Sequence, residues 1–295
     1  MIAAPRPTFT VPIPGRAPLV LGPRTLVMGV VNITPDSFSD GGKALDPSRA
    51  RDIALAMEAA GADIIDIGAE STRPGAKPVG AAEELARVEP AVKAIAAAVR
   101  APISIDTYKA IVAQAALDGG ASIVNDISAF EYDPGLGPLV AARNVPAILM
   151  HTRGRPEDMY AHAEYGDVVA DVIADLRKAI ARAEDYGVAR ERLIVDPGVG
   201  FAKRGNQSLQ VLAGLERFLE LGRPLLVGPS RKSFMAAATG PLAAEDRDWA
   251  TAAAVTAAVL QGAHIVRVHN VAKLVHVIRV ADALRAGPST RGEPS

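Results

Sequence analysis

The chain contains no cysteine, few aromatic residues and almost no net charge. Without cysteine there is no disulfide, no thiolate zinc site and no cysteine nucleophile. That fits the cytoplasm without fixing it. An aromatic content of 4% leaves few rings for stacking on bases, and a formal net charge of −1 gives no basic footprint for nucleic acid or an anionic membrane. No apolar run approaches the ~20 residues that a membrane helix needs. Pro5, Pro7, Pro12, Pro14, Pro18 and Pro23 punctuate the N-terminus, so no unbroken apolar signal region stands there. Two nucleotide-binding fingerprints are also missing. No Gly-x-Gly-x-x-Gly follows the first apolar run, and no Gly-x-x-x-x-Gly-Lys-Ser/Thr occurs. The Asn-x-Ser/Thr matches at Asn32 and Asn206 have no secretory context and read as chance.

What is present is a globular chain of 295 residues, 49% apolar and 22% charged. Length alone allows two ordinary domains or one (β/α)₈ barrel of about 250 residues. Eight short runs rich in Val, Ile and Leu decide between them, at roughly 25–31, 63–67, 102–105, 122–125, 146–150, 192–196, 224–228 and 264–268. They suit strands buried on both faces. Helical patterns fill the gaps. Asp46-Pro47 opens one helix and Gly61 closes it. Val88, Val92, Ile95 and Val99 share a face, with a kink expected at Pro90. Val168, Val172, Leu176 and Ile180 form a second stripe, and Val271, Leu274, Val275 and Ile278 a third. A βα unit repeated eight times, with no Asn-Gly hairpin signal, favours a closed TIM barrel over an open doubly wound sheet. Residues 1–23 read as an extended lead-in, 24–285 as the barrel and 286–295 as a disordered tail.

Each run ends on polar side chains: Asn32, Asp66, Asp106, Asn125 with Asp126, His151, Asp196, the Ser230–Ser233 cluster, and Arg267 with His269. In a barrel these ends converge on one mouth, where ligands bind. Asp106, Asn125 and Asp196 suit a heterocycle bearing amino and ring N–H donors, because a carboxylate accepts two parallel hydrogen bonds from an amidine-like edge. Lys232, Arg267 and His269 suit phosphate oxygens or a developing anion. Asn32 offers a neutral oxygen to Mg²⁺, which keeps several waters and binds through substrate phosphates. Asp66 and Asp126 read as structural acids, and His151 as a rim or core histidine. At Asp196 the Leu193-Ile194-Val195 run meets Pro197, Gly198 and Gly200, a turn in which the acid either caps the backbone or holds a ligand. Two long polar loops, Asn32–Lys43 and Glu70–Gly80, carry Asp36, Ser37, Thr72 and Arg73, with Phe38 in need of a partner. Such loops can close over a substrate.

Assembled, these motifs resemble the dihydropteroate synthase family, pterin-binding barrels of folate biosynthesis. The resemblance rests on Met28–Gly42 (MGVVNITPDSFSDGG), Asp66–Gly75 (DIGAESTRPG), Ser104–Tyr108, Val124–Ile127, Asp196–Phe201 (DPGVGF), Gly228–Phe234 (GPSRKSF) and Arg267–His269, in the family's order over roughly 25–285. It implies an enzyme that condenses 4-aminobenzoate with (7,8-dihydropterin-6-yl)methyl diphosphate, releasing pyrophosphate. It implies that Asp106, Asn125 and Asp196 grip the pterin edge, with Lys232 beside the ring carbonyl and Ile127 and Met150 lining the slot. Arg267, His269 and Thr72 fall at the pterin diphosphate, and Asn32 on Mg²⁺. Ser233, Phe38, Thr72, Arg73, Pro74 and Phe201 fall in the aminobenzoate pocket, where sulfonamides compete. Asp36 and Arg73 join Lys232, Asp196 and Arg267 in the catalytic set.

The chemistry so implied is a dissociative, S_N1-like substitution at the pterin methylene, followed by attack of an arylamine that needs no strong base. The family also implies a homodimer packed through late helices, for which 252–259 and 271–280 permit an apolar patch. Two other readings share the pterin pocket: a methyltetrahydrofolate-dependent methyltransferase and a catalytically silent paralogue. The Ser71–Gly75 and Ser230–Ser233 motifs argue against the first. The presence of Asn32, Asp36, Arg73 and Lys232 argues against the second.

Overall fold

The computed structural model describes residues 6–34 and 46–287. Its first two strands, β1 (Phe9–Val11) and β2 (Leu19–Leu21), form an antiparallel hairpin with Phe9 opposite Leu21. The extended lead-in expected over 1–23 is therefore corrected to a folded-back one over 9–21; residues 1–5, like 288–295 of the expected tail, lie outside the described residues. Pro12, Pro14 and Pro18 hid the hairpin, but all three lie in the connection, where a missing N–H costs no ladder bond. Val11, Leu19 and Leu21 are buried while Thr10 and Val20 face outward, a half-buried alternation too short to stand out in sequence.

Eight parallel strands follow: β3 (Leu26–Asn32), β4 (Ile64–Gly68), β5 (Ile103–Asp106), β6 (Ile123–Asp126), β7 (Ala147–Met150), β8 (Leu193–Asp196), β9 (Leu226–Val227) and β10 (Ile265–Val268). They pair in chain order from β3 to β8, and β10 lies between β9 and β3. The ring closes through a bridge between Val195 and Leu225, where the Val195 N–H donates to Pro224 O at 2.9 Å. The (β/α)₈ barrel expected from the eight runs is the fold.

A helix follows each strand: α1 (Pro47–Ala59), α2 (Ala81–Ala96), α3 (Ala110–Asp118), α4 (Leu136–Arg143), α5 (Val168–Asp185), α6 (Gly205–Ala213), the pair α7 (Ala236–Thr239) and α8 (Asp248–Leu260), and α9 (Val271–Ala286). The start of α1 is the expected one, with Asp46 Oδ1 accepting from the Ser48 N–H at 2.9 Å and Pro47 in the first turn. Gly61 closes it at φ +104°, a conformation that side chains rarely adopt. The helix does not break or restart at Pro90, because α2 continues through it. Pro90 lies on the exposed face of the helix, while Val88, Val92 and Ile95 stay buried on the other. None of the described helices is long and apolar enough to cross a membrane.

Strand alternation sorts the interior into two cores. Residues such as Val27, Ile65, Ile103, Val124, Leu149, Val195 and Val266 face the helices. Met28, Ile64, Ile123, Ile148, Ile194, Leu226 and Ile265 point inward and fill the lower barrel, where Val11, Ile13, Leu19 and Leu21 close it from below. The hairpin is tied on by Arg192 Nη1, donating to Pro12 O at 2.6 Å, and by the His264 ring, 3.0 Å from Pro7 O. The His264 Nδ1 accepts from the Leu225 N–H at 3.1 Å, so its Nε2 carries the proton and donates to Pro7.

Candidate active site at the barrel mouth

Two residues above the inward apolar layer, the same parity puts Asp66 above Ile64, Asn125 above Ile123, Met150 above Ile148, Asp196 above Ile194 and Arg267 above Ile265. Asp106 and Asn32 end their strands on that parity too, register partners of Asn125 and Gly68 in turn. Parity also separates neighbours. Asp126 points the other way: its Oδ1 accepts from the Ser128 N–H at 2.7 Å and hydroxyl at 2.8 Å, and its Oδ2 from the Phe130 N–H at 2.6 Å. It clamps a turn in which Ala129 and Phe130 hold positive φ, the structural role expected of it. Asp66 does not remain a bystander.

At the floor of the mouth Arg267 joins two acids. Its Nε donates to Asp66 Oδ2 and its Nη2 to Asp106 Oδ2, both at 2.7 Å. Asn125 Nδ2 stands 3.3 Å from the same Asp66 oxygen. Asp66 is fully buried, and its other oxygen has no hydrogen-bond partner among the described residues. Burial pushes the Asp106 carboxyl up to about 7, with Arg267 opposing and Asp66 reinforcing the shift. The guanidinium expected at the diphosphate is thus anchored deeper than the sequence suggested, with Nε and Nη2 already engaged.

The loop after β8 supplies the opposite wall. Asp196 Oδ1 accepts from the Gly198 N–H at 2.7 Å, and burial raises its pKa against the field of Lys232. Asp196 caps the turn with one oxygen, as one of its two readings had it, and its place in the inward layer leaves it facing the mouth. Gly198 sits at φ +66°, where a Cβ would lie 2.0 Å from His151 O. Lys232 donates to Val199 O at 2.7 Å and lies 4.1 Å from the centre of the Phe201 ring. Burial draws its pKa down to about 7, offset in part by Asp196. Arg231, its neighbour, turns away to Asp248 at 2.8 Å from φ +58°, so the adjacent cations divide between fold and site.

Tyr108, Ile127 and Met150 form a small separate apolar cluster, flanked by Tyr132 and Phe201. The expected slot residues Ile127 and Met150 are therefore together, with Phe201, expected in the aminobenzoate pocket, packed beside them. The two tyrosines were missed, although Tyr108 stands two residues after Asp106. They meet edge to face at 5.2 Å. Tyr108 donates to Glu70 Oε1 at 2.8 Å, and Lys109 bridges Glu70 to the buried Glu84. Lys203 was missed as well. It is fully buried and donates to Gly198 O and Phe201 O at 3.1 and 3.0 Å. His151 lies against it, 2.9 Å from Nδ1 to Nζ, as the core histidine expected.

On the rim, Ser233 is exposed at the end of the Lys232 turn, and Thr72, Arg73 and Pro74 stand on the second loop. That loop is docked by the Gly75 N–H to Pro156 O at 2.9 Å. Burial holds the His269 imidazole down near about 3, and the cations Arg267, Arg231, Arg73 and Lys232 add to that pull. His269 Nδ1 is 2.9 Å from Ser230 Oγ. Asp36 and Phe38, expected on the first loop, lie outside the described residues. No group of three or more acidic or histidine side chains that could hold an ion occurs among the described residues. A single amide oxygen, that of Asn32 at the mouth, fits a hydrated Mg²⁺ arriving on a diphosphate better than a resident ion.

Residues 28–269 match the family described as pterin binding enzyme. A dihydropteroate synthase of Synechocystis is 44% identical over 277 residues, covering 94% of this chain and 96% of its own. The chain belongs to the dihydropteroate synthase family. Among solved members, the Xanthomonas albilineans dihydropteroate synthase with 4-aminobenzoic acid superposes with a TM-score of 0.88 at 42% identity, covering 96% of this chain and all of that one. The Yersinia pestis dihydropteroate synthase in a sulfonamide complex gives 0.88 at 38% identity over 95% of this chain and all of its own. Family membership and barrel architecture thus agree, and the inward polar layer lies inside the matched segment.

Proposed function

We propose that the chain condenses 4-aminobenzoate with (7,8-dihydropterin-6-yl)methyl diphosphate to give 7,8-dihydropteroate and pyrophosphate. The observation that carries this reading is the inward layer itself: Asp106, Asn125 and Asp196 as acceptors, with Arg267 and Lys232 beside them, above a buried isoleucine floor. A guanine-like edge presents donors to that acceptor set, and the slot walls Tyr108, Ile127, Met150 and Phe201 suit its flat faces.

The diphosphate lies toward Arg267, His269, Arg73 and Thr72. Asn32 would hold Mg²⁺ together with diphosphate oxygens, and that ion, when bound, helps neutralise the leaving group's charge. The bond between the pterin methylene and the diphosphate oxygen breaks first, and its electron pair leaves with pyrophosphate. The positive charge left on carbon spreads into the electron-rich ring, next to Asp196 and Asp106, whose carboxylates favour it. Lys232 holds the ring carbonyl. The aminobenzoate nitrogen, seated by Ser233, Arg73, Pro74, Phe38 and Phe201, then forms the new C–N bond and loses its extra proton to pyrophosphate or solvent. Asp36 joins this step from the first loop. Sulfonamides occupy the aminobenzoate seat.

The enzyme acts in the cytoplasm as a homodimer packed through α8 and α9, a reading supported by Trp249, 87% exposed, and by the outward Val280 and Leu284. Formation of 7,8-dihydropteroate with pyrophosphate tests the function: the product is expected only when both substrates are present and its formation is to be competed by a sulfonamide against aminobenzoate. No dihydropteroate with both substrates present overturns it.

A further inference from the structure

A buried lysine that the chemistry above does not use stands behind the pterin loop. Lys203 has no exposed surface. Its Nζ donates to Gly198 O at 3.1 Å and Phe201 O at 3.0 Å, and lies 2.9 Å from His151 Nδ1 and 3.5 Å from His151 O. An ammonium has three N–H donors and no acceptor, so two carbonyls and one imidazole nitrogen match the charged form. With Nδ1 accepting, the His151 proton sits on Nε2, 3.3 Å from Asp175 Oδ2. Asp175 is part-exposed and further held by Arg153 at 2.8 Å and Lys178 at 3.0 Å. A polar chain therefore runs from the surface to the inside of the loop: Asp175, His151, Lys203, then the carbonyls of Gly198 and Phe201.

That loop carries the contacts on one side of the pterin pocket. The Gly198 N–H fixes Asp196, Val199 O holds Lys232, and the Phe201 ring lies against the Lys232 ammonium. Three elements of the site thus hang on the four residues Gly198–Phe201, whose two ends Lys203 bonds. Burial lowers the Lys203 pKa well below the usual lysine value, while the Asp196 charge raises it, so the ammonium helps hold the Asp196 carboxylate as well as the backbone.

We propose that Lys203 is a positioning residue for the pterin substrate, oriented by His151 and Asp175, and that it acts through Phe201, Asp196 and Lys232 without touching substrate. The proposal rests on the pterin reading of the site. Wild-type turnover tests that reading first, so failure of the two is distinguishable.

Lys203→Met keeps most of the side-chain volume and removes the three donors. Assayed at a temperature where circular dichroism shows it folded, it is expected to raise KM for the pterin diphosphate about tenfold and to change kcat by less than about threefold. A role in stability alone lowers the melting temperature and leaves KM where it was. In a double-mutant cycle with Phe201→Ala, most of the Lys203→Met effect is expected to vanish, since both act on one loop. Asp175→Asn, at the part-exposed end, is expected to fold and to raise the same KM by about threefold. Should Lys203→Met not fold, Asp175→Asn carries the test. An unchanged KM in a folded Lys203→Met, an unchanged KM in Asp175→Asn, or additive effects in the cycle would each overturn the proposal.

Discussion

The two ends of the barrel are made by one alternation and differ in what it delivers. Below, the inward positions are Ile123, Ile148, Ile194 and Ile265, sealed by a hairpin. Two residues further along the same strands they become Asn125, Met150, Asp196 and Arg267. The lower end buries hydrocarbon and holds the ring closed. The upper end buries charge, at a cost in desolvation that neighbours only partly offset. Stability and recognition are thus separated along the barrel axis by about one pleat, roughly 7 Å, and substitutions should separate in the same way.

The sharpest break in that contrast comes from Asp196→Asn. It keeps size but offers a donor where the pterin edge also donates. It is expected to lower kcat/KM by about a thousandfold with little change in melting temperature, read from pyrophosphate release and calorimetry. Leu21→Ala should do the reverse. It opens a void beneath the isoleucine layer and is expected to cost about 3 kcal/mol by urea unfolding, with kcat/KM preserved where the protein is folded. The contrast can be narrowed to adjacent residues. Lys232→Met should lower kcat/KM by about a hundredfold, whereas Arg231→Met should change it less than about fivefold and mainly loosen the contact with Asp248. Equal losses would dissolve the distinction between them.

Protons probe the same division. Asp106 is raised to about 7 in the ligand-free protein, so its accepting carboxylate form is depleted below that pH. KM for the pterin diphosphate is expected to rise below pH 7, by up to about tenfold per pH unit. Because that folded value exceeds the unfolded one, the stabilising contribution of neutral Asp106 is complete below the unfolded carboxylate value and is lost as pH rises through 7. Histidine at the lower end behaves oppositely. His264 is lowered to about 4 by burial, so the folded state binds fewer protons than the unfolded chain. Its contribution is full above the ordinary histidine value and is lost as pH falls through 4, by at most about 1.4 kcal/mol per pH unit. His264→Gln should flatten that slope in acid unfolding curves.

Much of this was legible in the sequence because a barrel repeats itself. Eight Val- and Ile-rich runs ending in polar groups specify strands and a mouth. Asp46-Pro47 and Gly61 mark the ends of a helix by local chemistry alone. What stayed hidden depends on neighbours distant in sequence. The β1–β2 hairpin is three residues per strand, masked by prolines that turn out to lie in its connection. Asp66 and Asp126 look alike until parity sends one inward and the other to Ser128 and Phe130. The signal was available: Ile64 and Ile123 fix the inward phase, and counting by two selects Asp66 and Asn125. Nothing local distinguishes Lys203 from a solvated lysine beside Arg204, since its partners are the backbone carbonyls of Gly198 and Phe201 and a histidine just past β7.

The shortest stave of the barrel is β9, two residues long, and the Val195–Leu225 bridge that closes the ring toward β8 lies one residue before it. Asp196 ends one side of this joint, and Gly228 begins the turn to Lys232 on the other. If the ring breathes, it parts between the acid and the lysine, widening the recess from its flank while the plugged base and the remaining staves stay shut. The Val195 amide reports such opening, and hydrogen exchange there should be faster than at the other barrel strands and slow once a pterin spans the gap.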